Sequence, residues 1–363
     1  MNVLKANNHG IALLITLSII TVLIAVAFEL NRQTGASLSR SGAGRDRQIL
    51  QEKIESGVSL AMLILIRDKE QTEVDSVQED WADPEKISGY LGRAGYDDDE
   101  LQIEITDERA RMQVNALVEF PAGREFDPVQ QQLWLRFLEL FLQQQDQPDT
   151  ATAKEPLEPE MIINPIKDWI DSGDDDAITG LSGAESDHYI DQDPPYKCRN
   201  GPVRHLSELL RVRNITPERF FADDENAGLG DFLTVHGLTP AANNPQDFTY
   251  GGRININTAE IPVLAALLPT GLEFLAPEMA AFRKESSGGE YLYDLTDPTW
   301  YRQVPGMGEV EIDTSLVAVK SDLFRIRCKA RHNQSSMAAR VIVRREQKKS
   351  GKWKCRVLRW QYE

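Results

Sequence analysis

Seven carboxylates crowd into twenty residues: Asp168, Asp171, Asp174, Asp175, Asp176, Glu185 and Asp187. Asp168 and Asp171 are three apart, so a helix through Asp168-Trp169-Ile170-Asp171 puts both on one face. Gly173, Gly180 and Gly183 allow the following loop to fold back over that face. Like charges at this density repel unless a hard cation neutralises them, and calcium, which takes six to eight oxygen ligands at about 2.4 Å, suits such a set. Magnesium would want fewer protein carboxylates. The spacing is not that of an EF-hand, which needs acidic residues at positions 1, 3 and 5 and Gly at 6. A solvated acidic loop is the competing reading of the same residues.

Catalysis is a poorer use of these groups. Paired acids can cleave glycosidic bonds, and His188, His205 or His236 could serve as bases. No nucleophile or oxyanion motif accompanies them, and a uniformly anionic cluster does not separate an acid from a base. The expectation is a protein that is not an enzyme. A second motif is Gly252-Arg253-Ile254-Asn255-Ile256-Asn257-Thr258-Ala259, followed by Val263-Leu264-Ala265-Ala266-Leu267, which resembles the start of a helix-hairpin-helix module. Val304-Pro305-Gly306-Met307-Gly308 would be its hairpin, offering backbone amides to phosphate. Nucleic acid is nevertheless not expected as a partner, because such a module needs a basic footprint and the 363-residue chain carries a net charge of -17.

The acidic segment must be held by elements before and after it. Leu133 to Leu142 reads as an amphipathic helix, with shorter helices at Leu206 to Arg213, Pro217 to Phe221 and Ala259 to Leu267. Gln143 to Pro159 is polar and prone to disorder. Upstream, Leu101 to Ile105 and Met112 to Ala116 alternate apolar and polar residues around a turn at Asp107-Glu108-Arg109, predicting an antiparallel hairpin. Three further strands are predicted at Phe324 to Cys328, Ala338 to Val343 and Trp353 to Trp360, where apolar residues alternate with Arg and one face meets solvent. Residues 321 to 363 hold thirteen Lys or Arg against Asp322, Glu346 and Glu363, about +10, a docking face or simply a solvated one. Cys198, Cys328 and Cys355 are an odd set, and the last two would fall on the outer strands of a three-stranded meander, too far apart for a disulfide. Buried, unpaired thiols are expected.

The amino terminus decides where all this sits. Ile11 to Phe28 carries no charge and begins directly after Gly10, at the lower edge of the length that spans a bilayer. Ala25-Val26-Ala27 would suit a signal-peptide cleavage site. Lys5 before the run, and Arg32, Arg40, Arg45 and Arg47 after it, would suit a plain anchor, with the charge bias placing the bulk in the cytoplasm. Beyond the apolar run a helical pattern through Leu30, Leu38, Ile49, Leu50, Ile54, Val58 and Ala61 extends to Arg67 without a proline, weakened by Gly35, Gly42 and Gly44, where a bend or melted turn is expected.

A short polar leader ending in Gly, followed at once by an apolar helix that becomes amphipathic, resembles the type IV pilins and pseudopilins. The resemblance implies cleavage between Gly10 and Ile11 by a prepilin peptidase, usually with methylation of the new terminus. Most such subunits carry Glu at the fifth mature position, where this chain has Ile15. That absence, the run from Asp168 through Gly183-Ala184-Glu185, Pro195-Tyr196, Asn200 and Leu206-Ser207-Glu208-Leu209, and the Asn-Ile-Asn-Thr-Ala stretch together resemble the minor pseudopilin K family of type II secretion systems.

The fold so implied is α+β and pilin-like: a long amino-terminal transmembrane and amphipathic helix packed on an antiparallel sheet, interrupted by a large, mostly α-helical insertion. Residues 1–10 would be the leader, 11–32 the membrane helix, 33–118 the first part of the pilin domain, 119–316 the insertion with a calcium-binding segment at 165–200, and 317–363 the closing strands. Carried over as calcium ligands are Asp168, Asp171, Asp174, Glu185 and Asp187, for one or two structural ions. The family further implies an inner-membrane, single-pass protein with its bulk in the periplasm, at the tip of the secretion pseudopilus. Its partners would be the minor pseudopilins I and J, with contacts to secreted cargo and the outer-membrane secretin. A DNA-uptake or type IV pilus minor pilin using the helix-hairpin-helix-like segment is the alternative. Physically, a Glu in a bilayer is costly without a partner, and a subunit with none above it needs no such group.

Overall fold

The computed structural model describes residues 9–120, 123–145, 157–173, 178–223, 226–240 and 247–363. One helix, α1 (His9–Gln71), runs unbroken for 63 residues, about 95 Å at 1.5 Å per residue. It passes the expected end at Arg67, and the glycines at 35, 42 and 44 leave its helical assignment intact. The stretch Leu13–Gln33 is long and apolar enough to cross a membrane, and none of it is buried. The second half behaves differently. Leu50, Ile54, Val58, Ala61 and Leu65, at spacings of three and four, are at most 2% exposed and face a sheet.

That sheet has four antiparallel strands: β1 (Leu101–Asp107), β2 (Leu323–His332), β3 (Ser335–Gln347) and β4 (Trp353–Tyr362), in that spatial order. Ile103 lies opposite Cys328 and Ile105 opposite Ile326, while Phe324 lies opposite Val343 and Ile326 opposite Val341. One face therefore reads Ile103, Ile105, Phe324, Ile326, Val341 and Val343, all packed with α1. Helix and sheet come very close at Gly57, where a Cβ would fall 2.7 Å from Cys328 Sγ, so glycine is required there by space. The short helix α2 (Pro84–Arg93) covers the β1 edge, with Asp83 capping its amides of Glu85 and Lys86 and Pro84 in its first turn.

The neighbours β1 and β2 are separated in sequence by the whole insertion, which has its own core around Trp134, Phe137, Ile163, Ile166, Leu264 and Trp300. Its regular structure is helical, but only α3 (Pro128–Gln145) and α4 (Glu160–Ile170) exceed two turns. Among the described residues the remaining helices, including α5 (Ser186–Ile190), have seven residues or fewer, and strand pairs of two or three residues and irregular chain fill the rest. The predicted helices at 133–142, 206–213, 217–221 and 259–267 correspond to α3, a 3-10 segment at Leu206–Arg211, a single turn at Pro217–Phe220 and a helix at Ile261–Leu267. Much of the disorder-prone stretch 143–159 lies outside the described residues.

The predicted hairpin is a correction. Leu101–Asp107 is a strand, but it pairs with β2, and Met112–Gln113 pairs in parallel with Leu233–Thr234, after which Val114–Leu117 is a 3-10 turn. The alternation there does not mark a solvated face, because the polar residues are buried too. Gln113 Nε2 donates to the His236 carbonyl, and Asn115 donates to Val203 and Val235 carbonyls while accepting from Val203 N–H at 2.7 Å. The three closing strands are where the sequence puts them, each longer than predicted. Among the described residues no disulfide forms; Cys328 is buried, whereas Cys198 and Cys355 are half-buried.

Candidate functional site: a buried carboxylate cluster in the insertion

Helix α4 ends at the acidic segment. Its apolar side, Ile162, Ile163, Ile166 and Ile170, packs into the insertion core and fixes Asp168 and Asp171 at the helix end. Trp169 meets the Tyr189 ring edge-on at 5.2 Å, and Tyr189 stacks on Tyr196 at 5.3 Å, which pins the returning chain of α5 against α4. Asn200 adopts φ 48° and donates its N–H to the Trp169 carbonyl at 3.1 Å. The segment after α4 folds back as the glycines suggest. Gly183 lies so close that a Cβ would run into the Asp168 carboxylate.

Three acids converge. Asp168, Asp171 and Glu185 are at most 1% exposed, and each offers a carboxylate oxygen within 4.8 Å of the others. Asp168 is held by the loop it organises: it accepts from Thr179 N–H, from the Thr179 hydroxyl and from Ala184 N–H at 2.9 Å. Asp171 accepts from Gly173 N–H through Oδ1 at 2.9 Å, and its Oδ2 forms an ion pair with Lys167 Nζ at 2.5 Å. The same ammonium lies 3.8 Å from Asp168 Oδ1. Burial raises the Asp171 carboxyl above its usual range, against the lowering effect of Lys167.

Of the other expected ligands, Asp187 is exposed on α5 and outside this group, and Asp174 lies outside the described residues with Asp175 and Asp176. Lys167 was not foreseen. Its signal was the i, i+4 spacing to Asp171 on a helix. Three buried carboxylates beside a buried ammonium form an all-oxygen donor set of the kind calcium prefers.

A second acidic group sits where the insertion leaves the sheet. Asp68 at the end of α1, Asp75 and Glu79 also bring carboxylates within 4.8 Å of one another. Here Arg345 of β3, 2% exposed, donates to Asp68 Oδ2 at 3.0 Å, to Asp75 Oδ1, and to the carbonyls of Leu65 and Ser321. Its guanidinium lies 4.8 Å from the Phe324 ring centroid. Glu79 accepts from Thr72, Ser76 and Trp81. Next to them Asp107 accepts from Arg109 N–H and from the side chains of Ser321, Asn255 and Thr258, all within 2.7 Å.

Asn255 also donates to the Asp75 carbonyl, and Asn257 accepts from Trp300 Nε1 at 2.7 Å. The Asn-Ile-Asn-Thr-Ala run is thus the polar weld between insertion and pilin body. Buried side chains spent in this way offer nothing to a nucleic acid, so the helix-hairpin-helix reading is not favoured.

A membrane-length helix continuing into an amphipathic half laid on an antiparallel sheet defines a pilin-like subunit, here with an insertion between two adjacent strands. Residues 110–222 match the family model described as type II secretion system (T2SS), protein K. The type II secretion system protein K of Klebsiella pneumoniae is 25% identical over 289 residues, 77% of this chain and 77% of that protein. The protein K of Pseudomonas aeruginosa is 26% identical over 271 residues, 73% and 69% of the two chains. A solved GspK-GspI-GspJ complex from the enterotoxigenic Escherichia coli type 2 secretion system contains a similar fold, with TM-score 0.60 at 17% identity, covering 89% of this chain and 99% of that one. The chain is thus similar to type II secretion proteins K in part of its sequence and in its fold. Among the described residues one helix, at the amino terminus, is long and apolar enough to cross a membrane.

Proposed function

We propose that the chain is the tip subunit of the secretion pseudopilus, acting by architecture and not by catalysis. The supporting observation is the division of α1: its first half presents Leu13, Leu14, Leu17, Leu23 and Phe28 to the outside, and its second half is buried against the sheet. Such a helix enters a filament by its exposed half beside the helices of other pseudopilins. The solved relative assembles with GspI and GspJ, and the minor pseudopilins I and J are the partners proposed for this chain. The insertion, with a core of its own, would block any subunit from stacking above it. It would thereby start assembly, limit filament length, and face cargo and the secretin from the periplasm.

Processing by a prepilin peptidase between Gly10 and Ile11, with methylation of Ile11, belongs to this reading. Gly10 and Ile11 are in the first turns of α1, while residues 1–8 lie outside the described residues. Calcium, as one or two structural ions, would be held by Asp168, Asp171 and Glu185, with Asp174 and Asp187 as further expected ligands. It would supply positive charge and link folding of the insertion to ion supply. Coexpression with pseudopilins I and J of the same system, followed by copurification and mass spectrometry of the mature amino terminus, tests the reading. A ternary complex with a chain starting at methylated Ile11 is expected. Failure to copurify, or a chain starting at Met1 or Phe28, would contradict it.

A further inference from the structure

The three-carboxylate cluster already contains a cation that belongs to the protein. Lys167 is 4% exposed, and its ammonium stands between two of the three converging carboxylates, 2.5 Å from Asp171 Oδ2 and 3.8 Å from Asp168 Oδ1. Lys167 and Asp171 lie one turn apart at the end of α4, and the Asp171 N–H is itself bonded to the Lys167 carbonyl at 2.9 Å, so the helix alone sets the spacing of the pair. A divalent ion liganded by Asp171 and Asp168 would bind at about 2.4 Å from their oxygens. The ammonium already takes the Asp171 Oδ2 that such an ion would need.

We propose that Lys167 is a built-in competitor for the divalent cation: it neutralises Asp168 and Asp171 when the ion is absent and withdraws when the ion binds. This rests on the calcium reading above. Two like charges cannot share one carboxylate edge in a site shielded from water, where their repulsion is strong. A lysine suits the exchange because its charge is a point at the end of a four-carbon stem with free rotation, able to retreat without moving the helix. An arginine with several fixed donors could not leave so easily. The consequence is a site that stays folded without its ion and binds it more weakly than the carboxylates alone would. Ion supply then tunes the insertion instead of deciding whether it folds.

The test uses the full-length chain in detergent, titrated with calcium chloride by calorimetry, alongside Lys167→Met. The methionine keeps the stem and removes the charge. The expected result is calcium affinity at least about tenfold tighter than wild type, with a lower melting temperature in chelator that calcium restores. Should Lys167→Met fold only with calcium present, Lys167→Gln prepared in calcium and mixed with excess chelator gives a second reading, and slower calcium release than wild type is expected. Equal or weaker affinity, or unchanged release, overturns the competitor while leaving the cation site standing. No calcium binding by the wild-type chain removes the cation site and the competitor with it.

Discussion

Two buried acidic groups in this molecule have nearly the same composition and opposite solutions. Asp68, Asp75 and Glu79 meet an arginine whose guanidinium reaches two of them and two carbonyls besides. Asp168 and Asp171 meet a lysine ammonium, with Glu185 beside them. The first group joins α1, the chain after it and β3, elements that must never separate, and a fork of fixed donors suits that permanence. The second holds a returning loop to the end of a helix, where the charge sits at the tip of a flexible four-carbon stem. The difference teaches that clustered carboxylates are not in themselves a metal site. What counts is whether the protein has supplied enough positive charge of its own.

The sharpest way to break the comparison is to remove the arginine. Arg345→Ala leaves Asp68 and Asp75 buried without their partner, and a loss of about 3–5 kcal/mol in unfolding free energy is expected from denaturant titration. Calcium should not repair it. In the other cluster, Asp171→Ala with Glu185→Ala should abolish calcium-dependent stabilisation, which for the wild type is expected to raise the melting temperature by about 5 °C at a hundredfold excess over Kd. Asn255→Ala, which strips a donor from buried Asp107, should cost about 1–3 kcal/mol by the same denaturant measurement, without altering calcium binding.

A smaller effect is a dependence on pH. Burial, with Glu79 next and against the pull of Arg345, raises the Asp68 carboxyl to about 7, and burial raises Asp107 to about 6 against the hydrogen bonds of Ser321, Thr258 and Asn255. Carboxyls that hold protons more tightly when folded favour the native state at low pH and lose that contribution as pH rises through the folded value. Stability should therefore increase as pH falls from about 8 towards 5, and Asp68→Asn should flatten the slope. Glu108 works the other way. Although burial pushes it up, Arg325 and Arg111 outweigh this and hold it at about 2, so its contribution is lost only on strong acidification, below its ordinary range. Thermal melts across the pH range check both signs.

Arg345 also shows what could be seen in the sequence. It lies in a tail rich in Lys and Arg and passes for one more solvated charge. Yet Val341 and Val343 are buried, and residue 345 shares their parity on β3, so the period of two alone puts it inside. The closing strands and the long helix were legible for the same reason, since their apolar residues recur at the period of the element. The segment after β1 was not legible, because Gln113 and Asn115 imitate a solvated face while being paired inside.

At the candidate site, the pairing of Asp168 and Asp171 followed from helix spacing and the return of the loop from the glycines, whereas Glu185 entered only through the family resemblance. That Asp168 spends its oxygens on Thr179 and Ala184 depends on the path of a loop whose backbone amides have no sequence signature. The exclusion of Asp187 has the same origin, because one turn of α5 aims it outward.

Calcium content per chain after equilibrium dialysis, determined by elemental mass spectrometry on full-length protein, tests the central contrast most directly. One or two calcium ions per wild-type chain are expected, with retention in Asp75→Asn and loss in Asp171→Ala with Glu185→Ala. No calcium in the wild type, or the same content in the double variant, would contradict the account.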